Sequence, residues 1–429
     1  MLSDDNVHTI IRKYFQKNNV LTDHQISSYN DLIDNIIPNI LNQLFPIVVP
    51  IENEILNRIK ITIINLKTES PYYTENNGCT YPMTPYIAKL KNYTYSLSLI
   101  AKLSIEIKYI QDNIVNTEIK ELSNILIGKV PIVVKSKYCV SNISDKKECL
   151  YDPGGYVIIN GNEKSIISQE KICPNIIQVN KLTKNTKYGL VAEIRSCNEK
   201  EFCPPKIISV KLTKKEGEFN NSLYVSVPHL RSEIPLFTLF RALGCISDKE
   251  ICYFILDNDK SEIDSRILKS LKQSIIESSD IITQTDAINY MKNYINNSSN
   301  FKSDDIVKYK YIKNTVLTEV LPHVGKNYMN KCYFLGLMVN KLIKTEMGIY
   351  QCSDRDSYEN KRIEPCGVLI GNLMYQCLTR LTKEIKSNIL KESNSGQWNI
   401  HKNPVDIIND ISIQKIIRSS YIETVLKGA

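Results

Sequence analysis

The sequence predicts an α+β fold, in which N-terminal helices precede a strand-rich stretch and a mainly helical second half. Two segments, 58–63 and 99–109, alternate apolar and polar residues, as a half-buried strand does. Residues 4–15 and most of the chain after 230 instead show the apolar spacing of amphipathic helices. Strands and helices do not alternate along the chain, so a parallel sheet is not expected. The length of 429 residues predicts two or three domains.

The N-terminal helix is predicted from its cap, its charges and its apolar face. Ser3 can cap it, and Asp4 and Asp5 suit the positive end of a helix dipole. Its apolar face consists of Val7, Ile10, Ile11, Tyr14 and Phe15. A second helical stretch, 29–45, is expected to be interrupted at Pro38, because proline lacks a backbone N–H.

Further strands are expected in the middle of the chain. They are predicted at 125–134, 156–159, 165–168, 190–195, 207–212 and 223–227. Asn160-Gly161 is a strong hairpin signal, because both residues tolerate positive φ. Gly154-Gly155 is expected to form a turn that enters a strand, since no helix follows whose N-terminus could bind a phosphate. Residues 214–217 are expected to form another turn.

Helix boundaries in the second half follow from local signals. Ser247-Asp-Lys-Glu250 has the spacing of a capping box. One helix is predicted at 328–347 and ends before Gly348, and a long one is predicted at 365–391. Another is expected to begin at Asn403-Pro404, where the missing N–H of proline costs nothing.

The composition is that of an ordinary globular chain with a moderate basic excess. There are 54 Lys and Arg against 46 Asp and Glu, a net charge of +8, which suits a nucleic-acid partner but is too weak to bind phosphate by charge alone. The twelve cysteines include no C-x-x-C pair and the five histidines lie far apart, so we expect free thiols and no structural zinc. No apolar run approaches the ~20 residues that span a bilayer, and no secretory signal is visible. A soluble, intracellular protein is expected.

The residues alone do not identify a reaction. The common nucleotide-binding and hydrolase motifs are missing, among them G-x-G-x-x-G, G-x-x-x-x-G-K-[ST], H-E-x-x-H and G-x-S-x-G. Asp354-Arg-Asp356 offers two carboxylates for a metal ion, but salt bridges with Lys361 and Arg362 are the simpler explanation.

Five sequence blocks nevertheless point to one family. They are YPMTPYIAKLKNYTY at 81–95, IGKVPIVVKSKYC at 127–139, YDPGGYVIINGNEKSIISQE at 151–170 with NIIQV at 175–179, YFLGLMVN at 333–340, and DRDSYENKR at 354–362. In content and order they resemble the second-largest, beta-type subunit of multisubunit DNA-directed RNA polymerases. Bacterial members have His and Gly where this chain has Ser357 and Glu359. The last block therefore resembles the eukaryotic-like subunits of large DNA viruses.

The resemblance implies the N-terminal part of such a subunit, a mixed protrusion domain with an inserted lobe, followed by the helical start of the fork. It places the first part of the protrusion at 1–196, the lobe at 197–352, the return of the protrusion at 353–405 and the truncated start of the fork at 406–429. The active-centre segments of the family would lie beyond residue 429. No catalytic residue and no metal ligand is therefore expected in this segment, and the Mg²⁺ of the assembled enzyme would be bound mainly by the largest subunit.

The resemblance also implies which residues lie close to nucleic acid. Lys164, Ser168 and Gln169 match positions near the RNA–DNA hybrid, although a structural role is an equal alternative for Ser168 and Gln169. Lys361 and Arg362 match the basic end of a block near the active-centre fork. For these two we favour a nucleic-acid role, because unpaired charge is rarely buried and a cation just before a helix start opposes the helix dipole. Neutralisation by nearby carboxylates remains the alternative. Structural-motif residues are Gly154, Gly155, Asn160, Gly161, Asp354 and Asp356.

As part of a DNA-directed RNA polymerase, the chain would form one wall of the DNA cleft and support template-directed nucleotidyl transfer. Its partners would be the largest subunit, other polymerase subunits, the DNA template and the RNA–DNA hybrid, with no membrane involved. The isolated chain is expected to be inactive. The location would be the nucleus for a cellular eukaryotic protein, and the virion or a cytoplasmic virus factory for a viral one. The alternative is a stand-alone, non-catalytic nucleic-acid-binding or interaction protein derived from such a subunit.

Overall fold

A computed structural model describes twelve stretches of the chain. These are residues 4–16, 20–51, 56–111, 114–140, 148–149, 151–182, 187–198, 200–214, 222–256, 262–295, 305–394 and 410–429. They contain both helices and antiparallel sheets, so the predicted α+β class is confirmed. The contacts divide the chain into unit 1, residues 1–169 with 363–429, and unit 2, residues 170–362.

The described helices occur at both ends of the chain and through its second half. In chain order they are α1 (Asp4–Phe15), α2 (Asp23–Asp31), α3 (Ile37–Leu44), α4 (Pro85–Leu90), α5 (Leu236–Ala242), α6 (Asp248–Ile255), α7 (Glu262–Glu277), α8 (Gln284–Lys292), α9 (Asp305–Thr318), α10 (Tyr328–Glu346), α11 (Cys366–Asn394), α12 (Asp410–Ile416) and α13 (Ser419–Gly428). A π-helical turn (Leu32–Ile36) joins α2 to α3, and short 3₁₀ turns lie at Pro322–Val324 and Tyr358–Asn360. Among the described helices, none is both long and apolar enough to cross a lipid bilayer.

The described strands lie mainly between α3 and α5. In chain order they are β1 (Ile47–Pro50), β2 (Leu56–Glu69), β3 (Tyr72–Thr74), β4 (Thr80–Pro82), β5 (Ser96–Gln111), β6 (Ile114–Pro131), β7 (Val157–Ile159), β8 (Asn162–Lys164), β9 (Gln169–Ile172), β10 (Gln178–Lys181), β11 (Tyr188–Ser196), β12 (Lys206–Thr213), β13 (Leu223–Ser226), β14 (Ile234–Pro235) and β15 (Lys361–Glu364).

Unit 1 is built on a four-stranded antiparallel sheet in the order β1-β2-β5-β6. Its inner face is apolar at every second residue of β5, and Leu103, Ile105 and Ile107 are almost fully buried there. Helices α3 and α11 contact this sheet, and α13 contacts β6. Gly128 of β6 makes room for α13, because a Cβ at this position would lie 2.9 Å from the Cδ1 of Ile422. The outer face of β5 is mostly polar, with residues such as Lys102, Ser104 and Glu106.

Unit 2 combines a five-stranded antiparallel sheet, in the order β10-β11-β12-β13-β14, with α5 to α10. One face of the sheet supplies buried residues such as Ile194, Val210 and Val225 to a core shared with these helices. In α10, Gly336 allows a close crossing with α6, since a Cβ there would lie 2.1 Å from the carbonyl oxygen of Phe254. The sheet therefore forms one layer and the helices the other.

Several element boundaries differ from those the sequence predicted. The helical stretch 29–45 is interrupted by the π-helical turn just before Pro38, and the proline itself stands in the first turn of α3, where it is tolerated. The strand predicted at 125–134 begins at Ile114, because β6 pairs with β5 along nearly its whole length. The strand predicted at 165–168 is wrong, since β8 starts directly after the two-residue turn and ends at Lys164.

The predicted capping box at Ser247 is also wrong. Ser247 does precede α6, but its side chain makes no capping hydrogen bond. The carboxylate of Asp248 in the same turn pairs with Arg241 at 2.6 Å. A complete capping box stands instead at the start of α8, where Thr283 and Asp286 bond each other's backbone N–H groups.

Helices α10 and α11 match their predictions closely, and Gly348 has the left-handed φ of 78° expected after a helix end. Ser3, residues 215–217 and Asn403-Pro404 lie outside the described residues. All twelve cysteines lie within the described ranges, and none forms a disulfide.

The division into two units differs from the predicted domain limits in position. The predicted lobe, 197–352, lies within unit 2, which extends further at both ends. The reason is that β10 and β11 belong to the same sheet as β12: β11 pairs with β12 from Tyr188 to Ser196. The assignment of these regions to protrusion, lobe and fork stays a prediction.

Candidate nucleic-acid interface

A tight hairpin positions Lys164 in unit 1. Asn160 and Gly161 form the turn between β7 and β8, with φ values of 50° and 80°. A side chain at Gly161 is excluded for two reasons. Its positive φ is unfavourable for L residues, and a Cβ there would lie 2.5 Å from the Oδ1 of Asn92. The register pairs Val157 with Lys164, so the lysine ends the hairpin with its side chain exposed.

The glycine pair before this hairpin forms a turn that enters β7. Gly154 and Gly155 have φ values of 66° and 81°, a region that L side chains rarely adopt. The backbone N–H of Gly155 donates to the carbonyl oxygen of Val134 at 3.1 Å, and that of Gly154 donates to the Oδ1 of Asp152 at 2.9 Å. The amides are thus occupied by the chain itself, so this turn is not a phosphate loop.

Ser168 is held by an internal hydrogen bond. The Nε2 of Gln25 donates to the Oγ of Ser168 at 2.9 Å and to the carbonyl oxygen of Ile166 at 3.3 Å. The Oε1 of Gln25 accepts from the backbone N–H of Cys366 at 2.7 Å. One glutamine therefore ties the segment after the hairpin to the start of α11, and its position in the sequence gives no signal of this.

A partly open pocket of about 520 Å³ adjoins this segment. Lys164 and Gln169 line it together with residues 165–167, and the facing wall is apolar and includes Leu369 and Leu373 of α11. Of the three residues predicted to lie near nucleic acid in unit 1, the structure places Lys164 and Gln169 on this pocket. The pocket combines an ammonium group and a carboxamide with an apolar wall.

Lys361 and Arg362 lie in unit 2, in strand β15 and not directly before a helix. Lys361 pairs with Glu170 at 2.8 Å and with Asp356 at 3.8 Å, and its side chain is only 17% exposed. The hydrogen bond that Lys361 donates to Glu170 raises the pKa of Lys361 above its ordinary value. Lys361 is thus neutralised within the protein, largely by Glu170, which lies far from it in the sequence.

Arg362 differs from its neighbour. It is exposed, and its Nη1 donates to the carbonyl oxygens of Lys361 at 2.7 Å and Glu359 at 3.3 Å. Within the described part of the chain, no carboxylate lies within 4 Å of its guanidinium. Of the two predicted cations, Arg362 is the one whose charge is available to an external anion.

The two aspartates of the same block build the loop before β15. The Oδ1 of Asp354 accepts from the backbone N–H of Asp356 at 2.9 Å, and the carbonyl oxygen of Asp354 accepts from the Nδ2 of Asn360 at 2.6 Å. Asp356 faces Lys361. One carboxylate oxygen of Asp354 is thus bonded within the loop, and the Asp356 carboxylate lies 3.8 Å from the ammonium group of Lys361. No cluster of three or more metal-ligating side chains occurs among the residues that the structure describes.

Comparison with known proteins identifies the family. Residues 20–424 match the family model described as the RNA polymerase beta subunit. The chain is 30% identical to DNA-directed RNA polymerase II subunit 2 of Arabidopsis thaliana over 423 residues, which is 92% of this chain and 35% of that relative. It is 29% identical to DNA-directed RNA polymerase subunit 2 of Acanthamoeba polyphaga mimivirus, over 96% of this chain and 36% of the relative.

An archaeal relative is similar over most of both chains. DNA-directed RNA polymerase subunit Rpo2N of Methanothermobacter thermautotrophicus is 28% identical, over 98% of this chain and 79% of its own length. The chain thus spans about a third of the eukaryotic and viral relatives and most of the archaeal one. Because the family model matches nearly the whole length of this chain, the chain belongs to the RNA polymerase beta subunit family. It corresponds to the N-terminal part of the second-largest subunit.

Proposed function

We propose that the chain forms one wall of the DNA cleft in a DNA-dependent RNA polymerase and supports template-directed RNA synthesis in the assembled complex. The match of the family model to residues 20–424 carries this proposal. The relatives named above are polymerase subunits by name. The partners in this proposal are the largest subunit, the other polymerase subunits, the DNA template and the RNA–DNA hybrid. The nucleotidyl transfer itself would use Mg²⁺ held mainly by the largest subunit.

We further propose that unit 2 contains the lobe and unit 1 the protrusion and the start of the fork. The discontinuity of unit 1 supports this assignment, because an inserted domain leaves its host in two pieces of sequence. Helices α12 and α13, in the region assigned to the fork, contact β6 and α11 of unit 1.

Nucleic acid contact in unit 2 is assigned mainly to Arg362. A guanidinium forms bidentate hydrogen bonds with phosphate and keeps its charge at any physiological pH. Arg362 is exposed and lacks a carboxylate partner in the described chain, whereas Lys361 is paired with Glu170. In unit 1 the assignment is to Lys164 and Gln169, which line the pocket beside the hairpin. Ser168, already bonded to Gln25, is assigned a positioning role.

The salt dependence of the assembled elongation complex tests this assignment. Each phosphate contact that is lost should reduce the slope of log affinity against log salt by about 0.7 to 0.9. When the salt concentration rises fourfold, the affinity of Arg362→Ala should therefore fall by a factor about three times smaller than the factor by which the wild-type affinity falls. Lys361→Ala should change the slope less, because its charge is already neutralised.

The exposed Lys249 of α6 supplies the matched control, and Lys249→Ala should leave the slope unchanged. Equal slopes for the wild type and Arg362→Ala, with all subunits assembled, would mean that Arg362 is structural. A change in slope for Lys249→Ala of the same size would show that the effect is one of net charge.

A further inference from the structure

The far end of the β5–β6 hairpin in unit 1 exposes a group of side chains that the proposed function does not use. Ile110, Val115 and Ile119 are 37%, 59% and 68% exposed. The register pairs Ile110 with Val115 and Glu106 with Ile119, which puts all of them on the outer face of the sheet. By contrast, Ile107 of the inner face is 1% exposed. Three exposed branched side chains therefore lie where the strand pattern calls for polar residues.

Three cations surround one carboxylate beside these isoleucines. Glu106 lies 3.3 Å from Arg58, 3.5 Å from Lys60 and 3.7 Å from Lys108. Arg58 and Lys108 are direct cross-strand partners, an arrangement of like charges that is unfavourable in itself. With one carboxylate among three cations, the cluster carries a local net charge of +2, and each cation remains about one-third exposed.

The pKa of the Glu106 carboxyl agrees with this arrangement. Partial desolvation acts to raise it, but the combined effect of Lys60, Arg58 and Lys108 lowers it below its ordinary value. The carboxylate is therefore charged at neutral pH and still leaves two positive charges uncompensated.

We propose that this hairpin patch, formed by Arg58, Lys60, Lys108, Ile110, Val115 and Ile119, is a docking surface for an acidic, amphipathic segment of a protein partner. Charge complementarity calls for carboxylates opposite the cations. The exposed isoleucines call for apolar side chains beside those carboxylates, since apolar contacts supply the central part of a protein interface. Nucleic acid fits less well, because a phosphodiester backbone is attracted by the cations but gains nothing from Ile119 or Val115.

Fluorescence anisotropy on the full 429-residue chain tests the proposal. The probe is a fluorescein-labelled peptide of alternating glutamate and leucine, about ten residues long. Lys60→Glu should weaken its binding at least about tenfold, because the variant removes an attraction and adds a repulsion. Ile119→Ser should weaken it about fivefold without altering any charge.

Two variants elsewhere on β2 are the matched controls. Lys67→Glu makes the same charge change on β2, about 23 Å from Lys60 at about 3.3 Å per residue. Ile64→Ser removes another exposed isoleucine. Both should leave the affinity for the peptide within about twofold of the wild type, and the circular dichroism of all four variants should match that of the wild type.

A DNA duplex of matched charge serves as the second probe. The proposal is overturned if the wild type does not bind the peptide, or if the control variants weaken binding as much as the patch variants. It is equally overturned if Lys60→Glu weakens duplex binding and peptide binding alike while Ile119→Ser affects neither, since the patch would then be an electrostatic site for nucleic acid.

Discussion

A lysine buried in the core of unit 2 makes the stability of this unit depend on pH. Lys331, in the first turns of α10, is 0% exposed. Its Nζ donates to the carbonyl oxygens of Val320 at 2.5 Å, Leu317 at 2.6 Å and Val316 at 3.3 Å. The carbonyls of Val316 and Leu317 belong to the last turn of α9, where no further turn of helix satisfies them, and Val320 follows the end of that helix. Lys331, near the start of α10, thus caps the C-terminus of α9 by hydrogen bonding to its last carbonyl groups.

Burial lowers the pKa of Lys331 from its ordinary value of 10.5 to about 8. The folded protein therefore binds fewer protons than the unfolded chain between about pH 8 and pH 10.5, and stability rises with pH across this window. Below pH 8 the ammonium is charged in both states and the cost of burying it is complete. At 1.36 kcal/mol per pKa unit that cost is about 3 kcal/mol, and most of it, about 2 to 3 kcal/mol, is relieved between pH 7 and pH 10.

The perturbation is Lys331→Met, which keeps the length of the side chain but cannot titrate. Urea unfolding of both proteins, followed by circular dichroism at pH 7 and pH 10, gives the difference in unfolding free energy. We expect the wild type to gain about 2 to 3 kcal/mol relative to the variant on going from pH 7 to pH 10. Lys326→Met, which removes an exposed lysine shortly before α10, controls for the loss of one charge. A wild-type-minus-variant difference that is equal at the two pH values would refute the reasoning.

Three further predictions concern packing and domain limits. In unit 1, Gly367→Ala should lower the unfolding free energy by at least about 2 kcal/mol in the same urea assay, because a Cβ would lie 2.0 Å from the carbonyl oxygen of Ser28. An unchanged urea midpoint would show that α11, which carries Gly367, can move away from α2, which carries Ser28, at no cost. In unit 2, Gly336→Ala should lower the unfolding free energy by a similar amount, because a Cβ would clash with the carbonyl oxygen of Phe254. The control Gly325→Ala meets no neighbouring atom, so it should destabilise only through the positive φ at that position. Expressed alone, residues 170–362 should unfold cooperatively, while 197–352, which lacks β10 and β11, should bind ANS; the reverse result would favour the narrower domain limits.

The strand core of unit 1 could be predicted from the sequence, because its signal is local. The alternation of apolar and polar residues at 58–63 and 99–109 predicted β2 and β5, and Asn160-Gly161 predicted the turn between β7 and β8. The first half of β6 could not be predicted in the same way. Residues 115–121 are mostly polar or exposed on both faces, so pairing with β5, not burial, makes them a strand.

The predicted capping box at Ser247 shows that a local signal does not guarantee a cap. The spacing fitted the motif, but Asp248 in the same turn pairs with a buried arginine, Arg241, which also donates to two backbone carbonyls. The same spacing at Thr283 and Asp286 does form a box, in which each side chain bonds the backbone N–H of the other residue. The spacing of a capping motif therefore does not by itself decide whether the cap forms.

The candidate interface was less predictable than the fold. The resemblance pointed to Ser168 and Lys361, but their actual partners, Gln25 and Glu170, lie 143 and 191 positions away in the chain. No spacing rule connects residues so far apart. As a result, the sequence could not separate Arg362, whose charge is available, from Lys361, whose charge is already paired.

The most direct test of the central claim is purification of the chain, carrying an affinity tag, from its native source. We expect the tagged chain to co-elute with the largest polymerase subunit, and the eluate to synthesise RNA from a DNA template in the presence of nucleotides and Mg²⁺. The same chain expressed alone should give no template-dependent product. A tagged chain that elutes without the largest subunit, in a fraction with no template-dependent synthesis, would contradict the assignment to a polymerase and favour a stand-alone binding protein.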